Sequence, residues 1–261
     1  MASEDFPEGI AFVTGGSGGI GGAIVERFAR AGSDVVFTYR NGAERAEQVR
    51  ARAEAHGVRV EARQVLLEEE DSLQAALDEI AASGRKVHSF VYASGPRVKV
   101  GFTAQLEVED VRFTFEHDTI ACFAFTKAAI DFLRKYPVRE GAAGSITAVT
   151  SSQRYKPEVR GVLSAAPKAA IEAMYYAVAK ENARFGIRAN ILQSGWVMAG
   201  QISDGMEGQL NTDAMKSIVA QIPIGRLGTP DEVAEGVVFF ASDRASFVTG
   251  ASLVIDGGMH L

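Results

Sequence analysis

The stretch VTGGSGGIGGAI at residues 13–24 constrains this chain more than any other. It closes a β-branched run, IAFVT (10–14), and opens an amphipathic pattern running from about Ile20 to Ala31. A strand that passes through glycines into a helix has three physical uses. Gly15, Gly19 and Gly21 are spaced for a tight turn, for close approach of a pyrophosphate to bare backbone, and for tight packing of the helix against its strand. The helix N-terminus adds N–H donors and a favourable dipole. The stretch therefore points to dinucleotide binding, with Ser17 and Ile20 inside the same cradle. The same letters also satisfy G-x-S-x-G, which would make Ser17 the nucleophile of a serine hydrolase. That elbow usually follows several upstream strands, and here it follows the first. His260 lies late enough to act as its base but reads more naturally as a solvated tail residue.

Beyond the loop, short β-branched runs alternate with longer helical patterns. Strands are expected at DVVFTY (34–39), VRVEARQV (58–65), VHSFVY (87–92), GSITAVT (144–150), IRANILQ (187–193) and SLVI (252–255). Helices are expected over 43–56, 70–82, 163–185 and 230–241, with two more filling 104–136. Connections long enough to hold a helix imply a parallel sheet covered on both faces. The expected architecture is α/β, a Rossmann-like doubly wound parallel sheet of about seven strands, in one domain over 1–261. The irregular segment 195–228 is too long for an ordinary connector and reads as a substrate lid. Trp196, Met198, Met206 and Met215 are candidates to line an apolar site beneath it, or simply to pack the lid.

Composition narrows the partners. Of 261 residues, 47% are apolar, enough for a sizeable core, and the net charge of −6 argues against a nucleic-acid partner. The lone cysteine, Cys122, excludes an internal disulfide and fits a cytoplasmic setting. The acidic opening MASEDFPEGI lacks the features of a signal peptide, and no apolar run approaches the ~18 residues of a membrane span. No metal is called for. After the second strand comes TYRNGAERAE, with Arg40 and no acid beside it. An arginine there suits the extra phosphate of NADP(H) better than the bare ribose of NAD(H).

These features, with the serine of VTSSQ (149–153), Lys168, GIRANILQSG (186–195), PIGRLGTPDEVA (223–234) and FVTGASLVIDGG (247–258), make the chain resemble the short-chain dehydrogenase/reductase family over nearly its whole length. The resemblance implies a Rossmann-like fold, NAD(P) binding, assembly into homodimers or homotetramers, and a Ser-Tyr-Lys centre with a supporting asparagine. It places Ser94 and Gly95 of YASG (92–95), Gly195 and Val197 beside the cofactor, and gives Lys168 both a cofactor and a catalytic role. The departures are specific. In GVLSAAPKAAIEAM (161–174) the position four before Lys168 holds Ser164, not tyrosine. Ser151 is retained. The asparagine position falls on Asp118. The acid that commonly contacts adenine is replaced at Leu66, and Pro-Gly after strand six becomes Ser194-Gly195.

An aliphatic hydroxyl is a far poorer acid than a phenol with its pKa of ~10. Ser164 is therefore no simple stand-in, and it could equally cap the helix. Asp118, too, could be a helix cap. Two routes keep the chemistry possible. Tyr155, in the loop after strand five, could supply the proton for carbonyl reduction. Alternatively hydride adds to a C=C conjugated to a carbonyl, and the enolate oxygen needs donors more than an acid. The second route resembles the 2,4-dienoyl-CoA reductase branch, which also has a serine four before the lysine. Its catalytic tyrosine falls on Gln153 by ungapped count, two short of Tyr155. The leading expectation is an NADPH-dependent reductase of an enoyl or carbonyl substrate. A non-redox binding or cyclising scaffold is the remaining alternative.

Overall fold

The computed structural model describes residues 6–199 and 213–261. Seven strands form one parallel sheet: β1 (Ile10–Val13), β2 (Asp34–Tyr39), β3 (Val60–Gln64), β4 (Val87–Tyr92), β5 (Gly144–Ser151), β6 (Ile187–Ser194) and β7 (Ser252–Ile255). Their order is β3-β2-β1-β4-β5-β6-β7. The winding reverses between β1 and β4, so a crevice opens beyond their carboxyl ends, where ligands of such sheets bind. The central strands β1 and β4 are buried at every position because both faces are covered, whereas edge strand β3, VEARQ, is mostly half-buried. On one face Phe12, Phe90 and Ile146 pack with residues of α3 (Glu70–Ala82), α5 (Ala121–Lys135) and α6 (Val162–Asn182). On the other, Val13, Phe37 and Leu192 pack with α1 (Gly19–Arg30), α2 (Ala43–Glu54) and α8 (Pro230–Ala241). The start of α8 is written in its sequence. Thr229 and Glu232 form a reciprocal capping box, and Pro230 occupies the first turn, where its missing N–H costs nothing.

Three elements differ from expectation. The stretch 104–136 holds one continuous helical run, α4 (Val108–Thr114) joined to α5 through a π-helical turn, Phe115–Ile120. Helix α6 begins at Val162 behind Gly161, so Ser164 sits inside its first turn and no side chain caps it. Pro167 consequently lies in the second turn, where the missing N–H leaves the Leu163 carbonyl without its helical partner. The segment 195–228 contains a short helix, α7 (Asp213–Val219). The middle of that expected lid, including Met206, lies outside the described residues. Among the described residues no helix is long and apolar enough to cross a membrane.

Beneath the sheet's amino-terminal edge His88 is buried, hydrogen-bonded to Ser33 and Ser89 and stacked on Phe6. Burial pushes its imidazole down to about 3, slightly offset by the Asp243 charge. The folded chain keeps this ring neutral where the unfolded chain protonates it. Stability is therefore full above about pH 6.5 and falls toward pH 3, by about 1.4 kcal/mol per pH unit from this residue. Urea unfolding of His88→Gln between pH 7 and pH 4 should show a correspondingly shallower acid slope, whatever the variant's stability at pH 7.

Candidate active site

The glycine loop is shaped by contacts that no side chain permits. Gly15 has φ of +68°, and a Cβ there would lie 2.7 Å from the Ala93 carbonyl oxygen. A Cβ on Gly21 would lie 2.2 Å from the Gly15 oxygen. Both clashes are with backbone, so neither relaxes cheaply. The Gly18 N–H donates to Gly15 O, the Gly16 N–H to Thr38 O, and no side chain caps α1. Gly15, Ser17, Arg40, Ser94 and Gly95 line a cleft of about 580 Å3, floored by Val65 and Leu67. Gly19 and Ser17 line its continuation over α1. Bare backbone, an uncapped helix start and an apolar floor fit the diphosphate and adenine of a dinucleotide. One expectation is corrected here: Arg40 does have an acid beside it. Parallel pairing of β2 with β3 brings the β3–α3 turn alongside, and the Arg40 guanidinium pairs with Glu68.

Lys168 lies one full turn beyond Ser164 on α6. Its Nζ donates to Asp118 Oδ1 at 2.8 Å and to the Ser94 carbonyl at 3.3 Å, and sits 5.7 Å from the Tyr92 ring centre. Asp118 is buried and its ion-pair partner is only 17% exposed. Asp118 is thus no helix cap. It sits in the π turn, whose extra width is a device common at functional sites. The Tyr92 hydroxyl donates to the Asp118 backbone carbonyl, and Thr119 Oγ1 donates to Pro167 O, tying the turn to β4 and α6. An ammonium has three N–H donors, of which these contacts use two; Nζ lies behind the Ser94–Gly95 loop, and Lys168 itself lines neither this cleft nor its continuation.

A second cavity, of about 670 Å3, opens beside this one. Ser151, Ser164 and Gln153 line it with Ile20, Gly195, Val197 and Trp196. Ser151 Oγ accepts from the Gln153 N–H at 3.3 Å, which leaves its own proton to donate inward. The Ser164 hydroxyl has no partner among the described residues. Tyr155 does not line this cavity. It is 45% exposed, and its hydroxyl accepts from Arg154 Nη2 at 3.0 Å. Arg154 in turn pairs with Glu172, a fully buried carboxylate that also accepts from Thr150 and Gln193. Burial pushes the Glu172 carboxyl up, and its hydrogen bonds oppose that. Met215 is buried in α7 and Met198 is partly exposed, and neither lines the cavity, although Trp196 does.

His260 is not a solvated tail residue. Its ring bonds Asp256 and lines the same cavity as Ser151 and Ser164. It lies on a different cavity from Ser17, so the two form no hydrolase pair. The sequence signal for the Asp256–His260 contact was only an acid four residues before a histidine in DGGMH. Nothing local marked Glu172 as buried either.

Removing Asp118 would strand a mostly buried ammonium. Asp118→Ala should cost about 2–4 kcal/mol in urea unfolding, and Asp118→Asn, which keeps an acceptor, about half of that.

A family model described as "Enoyl-(Acyl carrier protein) reductase" matches residues 15–260. The chain is 31% identical over 270 aligned positions to a short-chain dehydrogenase, fogB, of Aspergillus ruber, covering 97% of each. It is 29% identical to the 3-oxoacyl-[acyl-carrier-protein] reductase FabG of Escherichia coli, covering 98% of this chain and 99% of that one. A short-chain dehydrogenase of Burkholderia cenocepacia solved in complex with NADP superposes with a TM-score of 0.85 at 29% identity, over 97% and 98% of the two chains. The glycine cradle, the seven-stranded sheet and these likenesses converge: the chain belongs to the short-chain dehydrogenase/reductase family and is an NAD(P)-dependent oxidoreductase.

Proposed function

We propose that this chain is an NADPH-dependent reductase of a C=C bond conjugated to a carbonyl, as in an enoyl thioester. The observation that carries the reading is the cavity in which Ser151 and Ser164 meet with no phenol between them. Bound NADPH supplies hydride. The chain's part is to hold the substrate oxygen as it gains negative charge. Two hydroxyl donors and the nearby ammonium suit that oxyanion better than they suit protonation of a simple ketone. Reduction of the carbonyl itself is the second reading, favoured by the E. coli relative's name as a 3-oxoacyl reductase.

The adenosine end supports the phosphorylated coenzyme. The Arg40–Glu68 pair is partly exposed and of the kind worth about 0–1 kcal/mol, so a doubly charged 2′-phosphate can displace the carboxylate. Calorimetry should find NADPH bound at least about 10-fold more tightly than NADH. Glu68→Gln should strengthen NADPH binding and Arg40→Ala should remove the preference. Equal affinity for both coenzymes would defeat this part of the proposal.

Coenzyme consumption measured with crotonyl-CoA and with acetoacetyl-CoA separates the two reductions. The enoyl thioester should be turned over at least about 10-fold faster, and Lys168→Ala should lower its kcat/KM by about 10²-fold. Turnover of the ketone alone would select the second reading.

A further inference from the structure

We propose that His260, held by Asp256, is the proton donor of the substrate cavity, an inference that rests on the reductase reading above. The arrangement is built rather than incidental. The Asp256 carboxylate is 1% exposed and accepts from the Gly258 N–H at 2.9 Å and the His260 N–H at 3.0 Å. The His260 Nδ1 lies 3.0 Å from each of its oxygens. Gly257 and Gly258, at φ of +67° and +86°, curl the chain so that these donors converge on one carboxylate. A carboxylate only accepts, so Nδ1 carries a proton and the tautomer is fixed. Nε2 is then the ring's free nitrogen, with no partner among the described residues, on a side chain that lines the cavity with Ser151 and Ser164. The groups nearest the ring are Asp256 behind it and Tyr155, whose ring centre is 5.6 Å away. Lys99, Lys156, Glu158 and Arg160 are the other charged residues that line the same cavity.

The donors that the sequence offered are less well placed for this step. The Tyr155 hydroxyl is held by Arg154 outside the cavity, Lys168 is held by Asp118, and the serines are too weakly acidic. After hydride addition to the β-carbon, the former C=C pair resides on an enolate. Nε2, which has taken up a solvent proton while Nδ1–H stays on Asp256, gives that proton up: the Nε2–H bond breaks, its electron pair stays on nitrogen, and a C–H bond forms at the α-carbon. The ring returns to its neutral Nδ1–H form, ready to take up the next solvent proton. One proton moves, with no oxidant or reductant beyond NADPH.

The full chain loaded with NADPH provides the test, with crotonyl-CoA and acetoacetyl-CoA as probes. His260→Ala should lower kcat by about 10²-fold or more, leave NADPH affinity within about 2-fold, and regain turnover on addition of imidazole. Loss of activity without imidazole rescue, in a variant that keeps the wild-type melting temperature, would mean that the ring only shapes the cavity and would overturn the proposal. So would His260→Ala turnover within about 3-fold of wild type. Nitrogen-15 NMR of labelled histidine gives a readout independent of turnover. The resting ring should be the Nδ1–H tautomer, should lose that preference in Asp256→Asn, and should shift at Nε2 when crotonyl-CoA is added. An Nε2–H tautomer, or no shift, would also overturn it. Should NADPH bind but wild type consume it on neither probe, the reductase reading fails, and the NMR result alone decides whether His260 meets a ligand.

Discussion

The contact between Lys168 and Asp118 joins three parts of the chain that are far apart in sequence. The carboxylate comes from the π turn between α4 and α5, the ammonium from α6, and the second acceptor, Ser94 O, from the loop after β4. A mostly buried charge without its partner is expensive, so these three segments hold their relative positions together. The Tyr92 hydroxyl and Thr119 reinforce the same junction through backbone carbonyls. Two features at the carboxyl edge of the sheet are placed from it. The Ser94–Gly95 loop bounds the dinucleotide cleft above the ammonium, and the first turn of α6 presents Ser164 to the neighbouring cavity.

A second junction governs the cavity's other wall. Glu172, one turn beyond Lys168 on α6, reaches Thr150 at the end of β5, Gln193 at the end of β6 and Arg154 in the loop between β5 and α6. That loop carries both Gln153 and Tyr155. Arg154 stacks on the Tyr155 ring at 4.5 Å and bonds its hydroxyl, so the anchor that fixes the loop also holds the phenol outside the cavity lining. Gln153 is turned inward instead, and its Oε1 is buried without a partner. An unsatisfied buried oxygen is costly and is kept where a ligand or water can satisfy it.

What the sequence revealed and what it hid divide along physical lines. The glycine loop was legible because part of its packing is local, a Cβ on Gly21 meeting the Gly15 carbonyl, whereas the approach of Gly15 to the Ala93 carbonyl was hidden. The strands were legible through periodicity, whereas Ser151, Ser164 and Lys168 stood out only through the resemblance to the family's pattern. The π turn was not legible, because a run of 28 helix-compatible residues from Val108 to Lys135 carries no local mark of one widened turn. The burial of Asp118 and the pairing of Arg40 with Glu68 were hidden too. Both depend on sheet order and register, which bring together residues 50 and 28 positions apart. The contact of His260 with Asp256 was hidden because it needs two consecutive glycines, Gly257 and Gly258, to curl the chain back on itself.

Loss of the phenol separates two tasks that one residue can combine. A tyrosine beside a lysine both donates a hydrogen bond to the substrate oxygen and gives up its proton. Under the proposed function the hydrogen-bonding task falls to small neutral hydroxyls, which cost little to desolvate and have no charge to balance. The ammonium behind them is compensated by Asp118, so its field at the cavity is weaker than that of a lone lysine. Such a site stabilises an anion without protonating it quickly. A substrate that can spread its charge over a conjugated system tolerates the delay, whereas an isolated alkoxide, far more basic, does not. On the proposed enoyl reading, donors at Ser151 and Ser164 would favour a delocalised oxyanion, with the proton supplied from another wall of the cavity.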